Sequence, residues 1–304
     1  MLKTVNKRID YAKISTETVN PRSKKLDALS ALGIVELMNR EDRQVLQAVS
    51  QARLNIASAV NLIVRSLGFG GRLFLVGAGT SGRLGVIEAA ECPPTFNTSP
   101  NLVQAIMAGG RSAVFRSKEG AEDSESAAAA AVRRAVRKGD VVVGIAASGV
   151  TPFVRSALQT ARQRKARTIL VTCNKHSVNA AADIRILLNT GPEVLTGSTR
   201  LKAGSACKMT LNILTTACMV RLGKVYRNYM VDLQPKSKKL VARGIRFLKL
   251  LGRVSDARAK RLFQEARGQV KVGILMSRGH LTRPQALQRL AKTKGFLGKA
   301  LSES

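Results

Sequence analysis

Val45, Val49, Ala52, Ile56, Val60 and Ile63 recur at steps of three and four, the spacing of one helix face, up to a break at Gly68-Phe69-Gly70-Gly71. The pattern then changes. Short apolar runs at 73–76, 102–107, 141–146, 168–172 and 184–188 read as strands buried on both faces. Between and after them, 124–136 is an Ala-rich helix, 152–163 a second and 201–222 a long apolar third. Strands alternating with helices predict an α/β fold, a flavodoxin-like five-stranded parallel sheet flanked by helices. Residues 1–40 carry Asn20-Pro21 and little periodicity, which predicts an extended arm. From about Lys236 the spacing is helical, with breaks at Gly252, Gly268 and Gly279-His280, so a small helical subdomain is expected there. The layout is then an arm at 1–40, an α/β domain at 41–232 and a basic helical subdomain at 233–304.

The turn after the first strand is the most informative stretch. Gly77, Gly79 and Gly82 let the backbone bend sharply with its N–H groups exposed. Thr80 and Ser81 add hydroxyls beside the N-terminus of the helix that opens at Ser81, where free amides and the helix dipole favour an anion. The three glycines also form G-x-G-x-x-G, the dinucleotide fingerprint, but about twenty residues on stand Asn97 and Thr98 instead of an acid for the ribose. No Lys-Ser/Thr closes the loop as a P-loop requires. A compact phosphomonoester suits the turn better, with a ligand-free strand-helix turn as the alternative. In open parallel sheets the ligand sits beyond the carboxyl ends of the strands. There a second loop, 146–152, repeats the device with Ser148, Gly149 and Thr151 ahead of Pro152, so that two cradles converge on one phosphate. Simple N-capping by Ser148 and Thr151 is the competing reading.

Composition narrows the classes. The 304 residues are 45% hydrophobic, ample for a packed core. Neither a run of about eighteen apolar residues nor an apolar leader is present, which predicts a cytoplasmic protein without membrane contact. Cys92, Cys173, Cys207 and Cys218 lack paired spacing and only His176 and His280 stand with them, so buried reduced thiols are expected rather than a metal site. Lys and Arg number 51 against 19 Asp and Glu, a net charge of +32. Such a surface steers small anions and attracts polyanions. With 4% aromatics and no Trp, nucleic-acid binding by the basic tail would run through the backbone and not through stacking, so nucleic acid is not the expected partner although the basic charge leaves it open.

Against this basic background the carboxylates stand out. Glu88 and Glu91 share a face of the helix after the first cradle, and Glu91 ends it before Cys92-Pro93-Pro94. Glu119, Glu122 and Asp123 precede the Ala-rich helix, where capping is the plain alternative. Two glutamates trading protons across a sugar, one as acid and one as base, fit this inventory. Neither His is near the site, hydride transfer lacks a cofactor motif and a Ser nucleophile lacks a base. A third segment, 191–208, holds Glu193, Ser198, Thr199, Arg200 and Lys202 ahead of the long helix. Its cations suit an anion as charge-assisted donors, and a helix entry explains its hydroxyls equally.

The blocks Gly77-Ala-Gly-Thr-Ser-Gly-Arg-Leu-Gly85, Glu91-Cys-Pro-Pro-Thr-Phe96 and Glu119-Gly-Ala-Glu-Asp123, with the arm 16–23 and the segment 191–204, resemble the N-acetylmuramic acid 6-phosphate etherases, built on the SIS (sugar isomerase) domain. The likeness covers most of 16–232. It implies cleavage of a D-lactyl ether by elimination and hydration in cell-wall amino sugar recycling, with no metal or other cofactor, in a homodimer with sites near the subunit interface. It puts the proton donor on Glu91 and the base on Glu122, and the phosphate and substrate contacts on Gly79, Thr80, Ser81, Gly82, Ser148, Gly149, Thr151, Ser198, Thr199 and Lys202. Three positions depart from the family pattern: Val150 and Val19 where Arg is usual, and Cys207 where Gln is common. A sugar-phosphate isomerase and a non-catalytic sugar-phosphate sensor on the same fold are the alternatives.

Overall fold

The five expected strands are all present in the computed structural model, which describes residues 14–175 and 182–302. The amino-terminal residues read for a leader, and His176, lie outside the described residues. β1 is Leu73–Gly77, β2 Val103–Met107, β3 Val141–Ile145, β4 Arg167–Thr172 and β5 Ile184–Leu187. They pair in parallel in the order β2-β1-β3-β4-β5. β1 and β3, in the middle, are buried at every residue, which is why their runs are continuously apolar instead of alternating.

The helices of this part are α1 Ala31–Gln51, α2 Arg53–Gly68, α3 Gly79–Phe96, α4 Ser112–Phe115, α5 Glu125–Ala135, α6 Pro152–Gln163 and α7 Lys202–Arg221. Phe153, Val154, Ala157 and Leu158 of α6 pack with Phe74, Val142 and Leu170 of the sheet and with Ala128 and Val132 of α5. At Gly144 a Cβ would stand 2.7 Å from Val154 Cγ1, so α6 lies closer to β3 than any side chain permits.

Two expectations are corrected. The single helix read through Val45 and Ile63 is two, because the backbone leaves helical geometry at Ala52 (φ −81°, ψ 1°) while the apolar spacing carries straight across. The extended arm expected to residue 40 is helical from Ala31, where Ser30 Oγ accepts from Gly33 N at 3.2 Å. Leu32 and Val35 in that first turn are 67% and 54% exposed, which hides the helix from a periodicity argument.

Among the described residues the chain divides into two compact units, the first reaching to Glu88 and resuming at Val103–Leu214, the second Ala89–Leu102 with Thr215 onward. The second unit therefore begins before residue 233 and takes in a piece from the middle of the chain. It holds α8 Lys238–Gly252, α9 Asp256–Glu265, α10 Val270–Arg278, α11 Arg283–Lys292 and α12 Leu297–Ser302 around its own core of Phe247, Leu248, Leu262, Ile274 and Leu275. Inside it Lys271 Nζ donates to Gly223 O (2.8 Å), Gly295 O (3.0 Å) and Asp232 Oδ2 (2.8 Å). Burial pulls the Lys271 ammonium below its ordinary value, and Asp232 works against that. No helix among the described residues is long and apolar enough to cross a membrane.

Candidate active site

Strand order reverses between β1 and β3, which lie side by side with Gly77 opposite Ile145. In open α/β sheets that switch point is where ligands bind. The turns leaving β1 and β3 therefore emerge next to each other. In the first, a Cβ on Gly77 would stand 2.7 Å from Gly82 N, and one on Gly82 would stand 2.6 Å from Gly77 O. Only glycine fits at either position. Gly79 has φ 52° and opens α3, two residues ahead of the expected start at Ser81, so Thr80 and Ser81 lie in the first turn with half-buried side chains. The free amides and the positive end of the helix dipole gather there.

The second turn is held from below. Cys173 N donates to Ala147 O (2.9 Å) and Asn174 Nδ2 to Ser148 O (2.8 Å), while Gly149, at φ 70°, donates to Ala146 O (2.9 Å). Val150 N approaches Ser148 Oγ at 3.4 Å. Thr151 occupies the N-cap position of α6 and makes no capping hydrogen bond, so capping does not account for its hydroxyl. Val150 is buried.

Glu122 reaches the same end of the sheet. Arg83 of α3 donates to Val114 O (2.8 Å) and Ala113 O (2.9 Å), fixing α4 against α3. Gly109, at φ 79°, leaves room for the chain to return, since a Cβ there would stand 2.9 Å from Ala113 Cβ and 3.1 Å from Lys118. The segment 117–122 thereby borders a pocket of about 110 Å³ whose wall includes Gly79, Arg83, Lys118 and the exposed Glu122. Gly79 at the start of α3 and the Glu122 carboxylate thus border one small polar space.

The segment ahead of α7 joins the cradle through Gly204, where a Cβ would lie 3.3 Å from Thr199 O and 3.6 Å from Thr80 Cγ2. Ser198 and Thr199 are half-buried in the turn leading to it. Glu193, fully buried, caps α7 by accepting from Lys202 N (3.0 Å) and Ala203 N (2.8 Å). Burial pushes its carboxyl up, and those two amides with the Lys202 charge restrain the rise. Lys202 does not stand as the open anion donor expected of it. Its side chain is 1% exposed and its ammonium is committed to Glu41 Oε2 at 2.7 Å. Glu41 also accepts from Asn20 Nδ2 (2.7 Å) and Arg22 Nη1 (2.5 Å). Burial alone raises such a carboxyl, but the hydrogen bonds from Lys202, Arg22 and Asn20 outweigh it and hold the pKa at about 2. Glu41 carries no signal in the sequence, because one acid on an amphipathic helix looks like any solvated residue.

Glu91 lies within α3. α3 runs past it through Pro93 and Pro94 to Phe96, so Glu91 is not at the helix end. The prolines fall in the last turn, and Asn97 in the left-handed conformation (φ 51°) closes it by donating to Pro93 O (2.9 Å). Glu91 is exposed and belongs to the second unit. Glu88, one turn earlier, is buried and accepts from Asn212 Nδ2. The four cysteines are buried and in no disulfide, and Cys173 is pushed well above the usual thiol value by its hydrogen bond with Cys207 and by burial.

A doubly wound sheet with two hydroxyl-bearing turns at its switch point is the arrangement of a SIS-domain protein, and the SIS domain family model matches residues 119–217. The model of the glucokinase regulatory protein N-terminal SIS domain matches 55–162. The N-acetylmuramic acid 6-phosphate etherase of Trichodesmium erythraeum is 48% identical over 290 residues, 94% of each chain. That of Geobacillus thermodenitrificans is 48% identical, covering 95% of this chain and 98% of its own. Among solved structures, a phosphoheptose isomerase from Francisella tularensis aligns with 64% of this chain and 98% of its own at a TM-score of 0.46 and 18% identity. The chain belongs to the N-acetylmuramic acid 6-phosphate etherase family.

Proposed function

We propose that this chain is an enzyme that cleaves the D-lactyl ether of N-acetylmuramic acid 6-phosphate, releasing D-lactate and N-acetylglucosamine 6-phosphate. The observation that carries the reading is the match to etherases of that name along almost the whole chain. The site chemistry agrees with it. The amides and hydroxyls of Gly79, Thr80, Ser81 and Gly82, with those of Ser148, Gly149 and Thr151, take the phosphate, and Ser198 and Thr199 meet the sugar. With the ring open, the C2 proton lies alpha to the aldehyde. Glu122 removes it, the C3–O bond breaks, and Glu91 protonates the departing lactate oxygen. Water then adds at C3 and a proton returns to C2, so one water is consumed per ether cleaved.

The family resemblance, with its homodimer and sites near the subunit interface, supports a working unit in which Glu91 serves the substrate of a second copy. The setting that fits is the recycling of cell-wall amino sugars in the cytoplasm.

Incubation with N-acetylmuramic acid 6-phosphate in ¹⁸O-labelled heavy water tests the reaction. D-lactate appears unlabelled, while the sugar gains ¹⁸O at C3 and deuterium at C2. Label in the lactate contradicts the elimination route, and absence of lactate contradicts the function.

A further inference from the structure

The end of the sheet opposite the two cradles carries charge that ether cleavage does not use. The N-terminal ends of β1, β3 and β4 lie side by side, with Leu73 opposite Val141 and Val141 opposite Arg167. The chain approaches β3 through Arg137 and Lys138 and β4 through Arg164 and Lys165. Arg167 begins β4, and Arg65 comes from the last turn of α2. All six are exposed. Among the described residues the carboxylate that meets one of them is Asp183, 3.5 Å from Arg167. Asp140, the other acid at this end, is fully buried and already paired with Arg72 at 2.7 Å.

Cations at helix C-termini also complement the dipole, and α2, α5 and α6 all end here. Each end supplies about −0.5 charge, so the three offset about a quarter of the six positive charges. The remainder is a concentrated positive face. Beside it lies a hollow of about 730 Å³ lined by Arg65, Arg137, Lys138, Arg167 and Phe69. Phe69 is 89% exposed and lines this hollow, whereas Phe115, 88% exposed, does not, and Phe74, Phe153 and Phe247 are spent on cores. Such a ring left in water among cations is an apolar surface awaiting a π-faced, anionic partner.

We propose that this face binds single-stranded nucleic acid, with a base stacked on Phe69 and backbone phosphates held by the surrounding arginines and lysines. Backbone charges and an exposed ring are the combination that binds single strands without reading sequence. The choice between this and mere excess charge rests on Phe69 and on the location of the cations.

Fluorescence anisotropy of the full chain with a labelled oligouridylate of about twenty nucleotides tests it, over about 50 to about 200 mM salt. Arg137→Ala with Lys138→Ala is expected to weaken binding about tenfold or more and to flatten the salt slope by about 1.4, two contacts at about 0.7 each. Phe69→Ala is expected to weaken it about tenfold with the slope unchanged. Lys239→Ala with Lys292→Ala, an equal loss of exposed charge in the second unit, is expected to stay within about twofold. D-lactate release should be the same in all of them. The proposal is overturned if the wild-type chain does not bind, if the control pair weakens binding as much as the Arg137 and Lys138 pair, or if Phe69→Ala changes nothing.

Discussion

Glu41 shows how one residue ties chemistry to stability. Its carboxylate closes a fully buried pair with Lys202 and gathers Asn20 and Arg22, so that the turn before α7 is held in place by groups far apart in sequence. Glu41→Gln leaves the Lys202 ammonium buried without its hydrogen-bonded carboxylate, and breaking such a pair from one side costs about 3–5 kcal/mol. Urea denaturation near neutral pH reads that loss directly. The pH dependence has a definite sign. A carboxyl held at about 2 against an ordinary value of 4.5 contributes stability that is complete above 4.5 and disappears as pH falls toward 2. The wild-type chain should lose stability across that window, and Glu41→Gln should show a flatter profile there. Glu193, whose carboxyl is raised, acts in the opposite direction above 4.5. At this scale the sequence was legible where residue type and backbone demand coincide, as at Gly77, Gly82, Thr80 and Ser81. It was misleading at Lys202, since nothing in a linear pattern says that a lysine beside hydroxyls is matched by a glutamate 161 residues earlier.

Elements were easier to read than their edges. β1 to β5 and α6 follow from continuous apolar runs and from Pro152 at a helix start, because a strand buried on both faces leaves no room for polar residues. The break at Ala52 escaped notice because the apolar stripe continues through it, and the start of α1 escaped because its first turn faces water. The element that matters most is the β1-α3 connection, packed so closely that a methyl group at Gly77 meets the Gly82 backbone at 2.7 Å. Gly77→Ala is expected to cost about 1–3 kcal/mol by overpacking. It should also raise KM for the sugar phosphate more than it lowers kcat, since in the proposed reaction the turn takes the phosphate and does not move protons. Thermal unfolding and steady-state kinetics check the two halves. Equal stability and equal KM would mean that the turn tolerates more slack than its contacts indicate.

For the whole molecule, the proposed homodimer makes a definite prediction about whose site Glu91 serves. If each site borrows Glu91 from a partner, inactive Glu91→Gln and inactive Glu122→Gln chains complement each other on mixing and exchange of subunits. Half of the randomly mixed dimers are then heterodimers with one intact site of two, which returns about a quarter of wild-type activity. If both carboxylates act within one chain, mixing restores nothing. The net charge of +32 is compatible with either arrangement and bears on association, not on the fold. What tests the account most directly is D-lactate release from N-acetylmuramic acid 6-phosphate by the wild-type chain beside its Glu91→Gln and Glu122→Gln variants. Both substitutions are exposed, so folding should be intact by circular dichroism. Each is predicted to lower kcat by about 10²- to 10⁴-fold, and full activity in either variant would contradict the two-carboxylate mechanism.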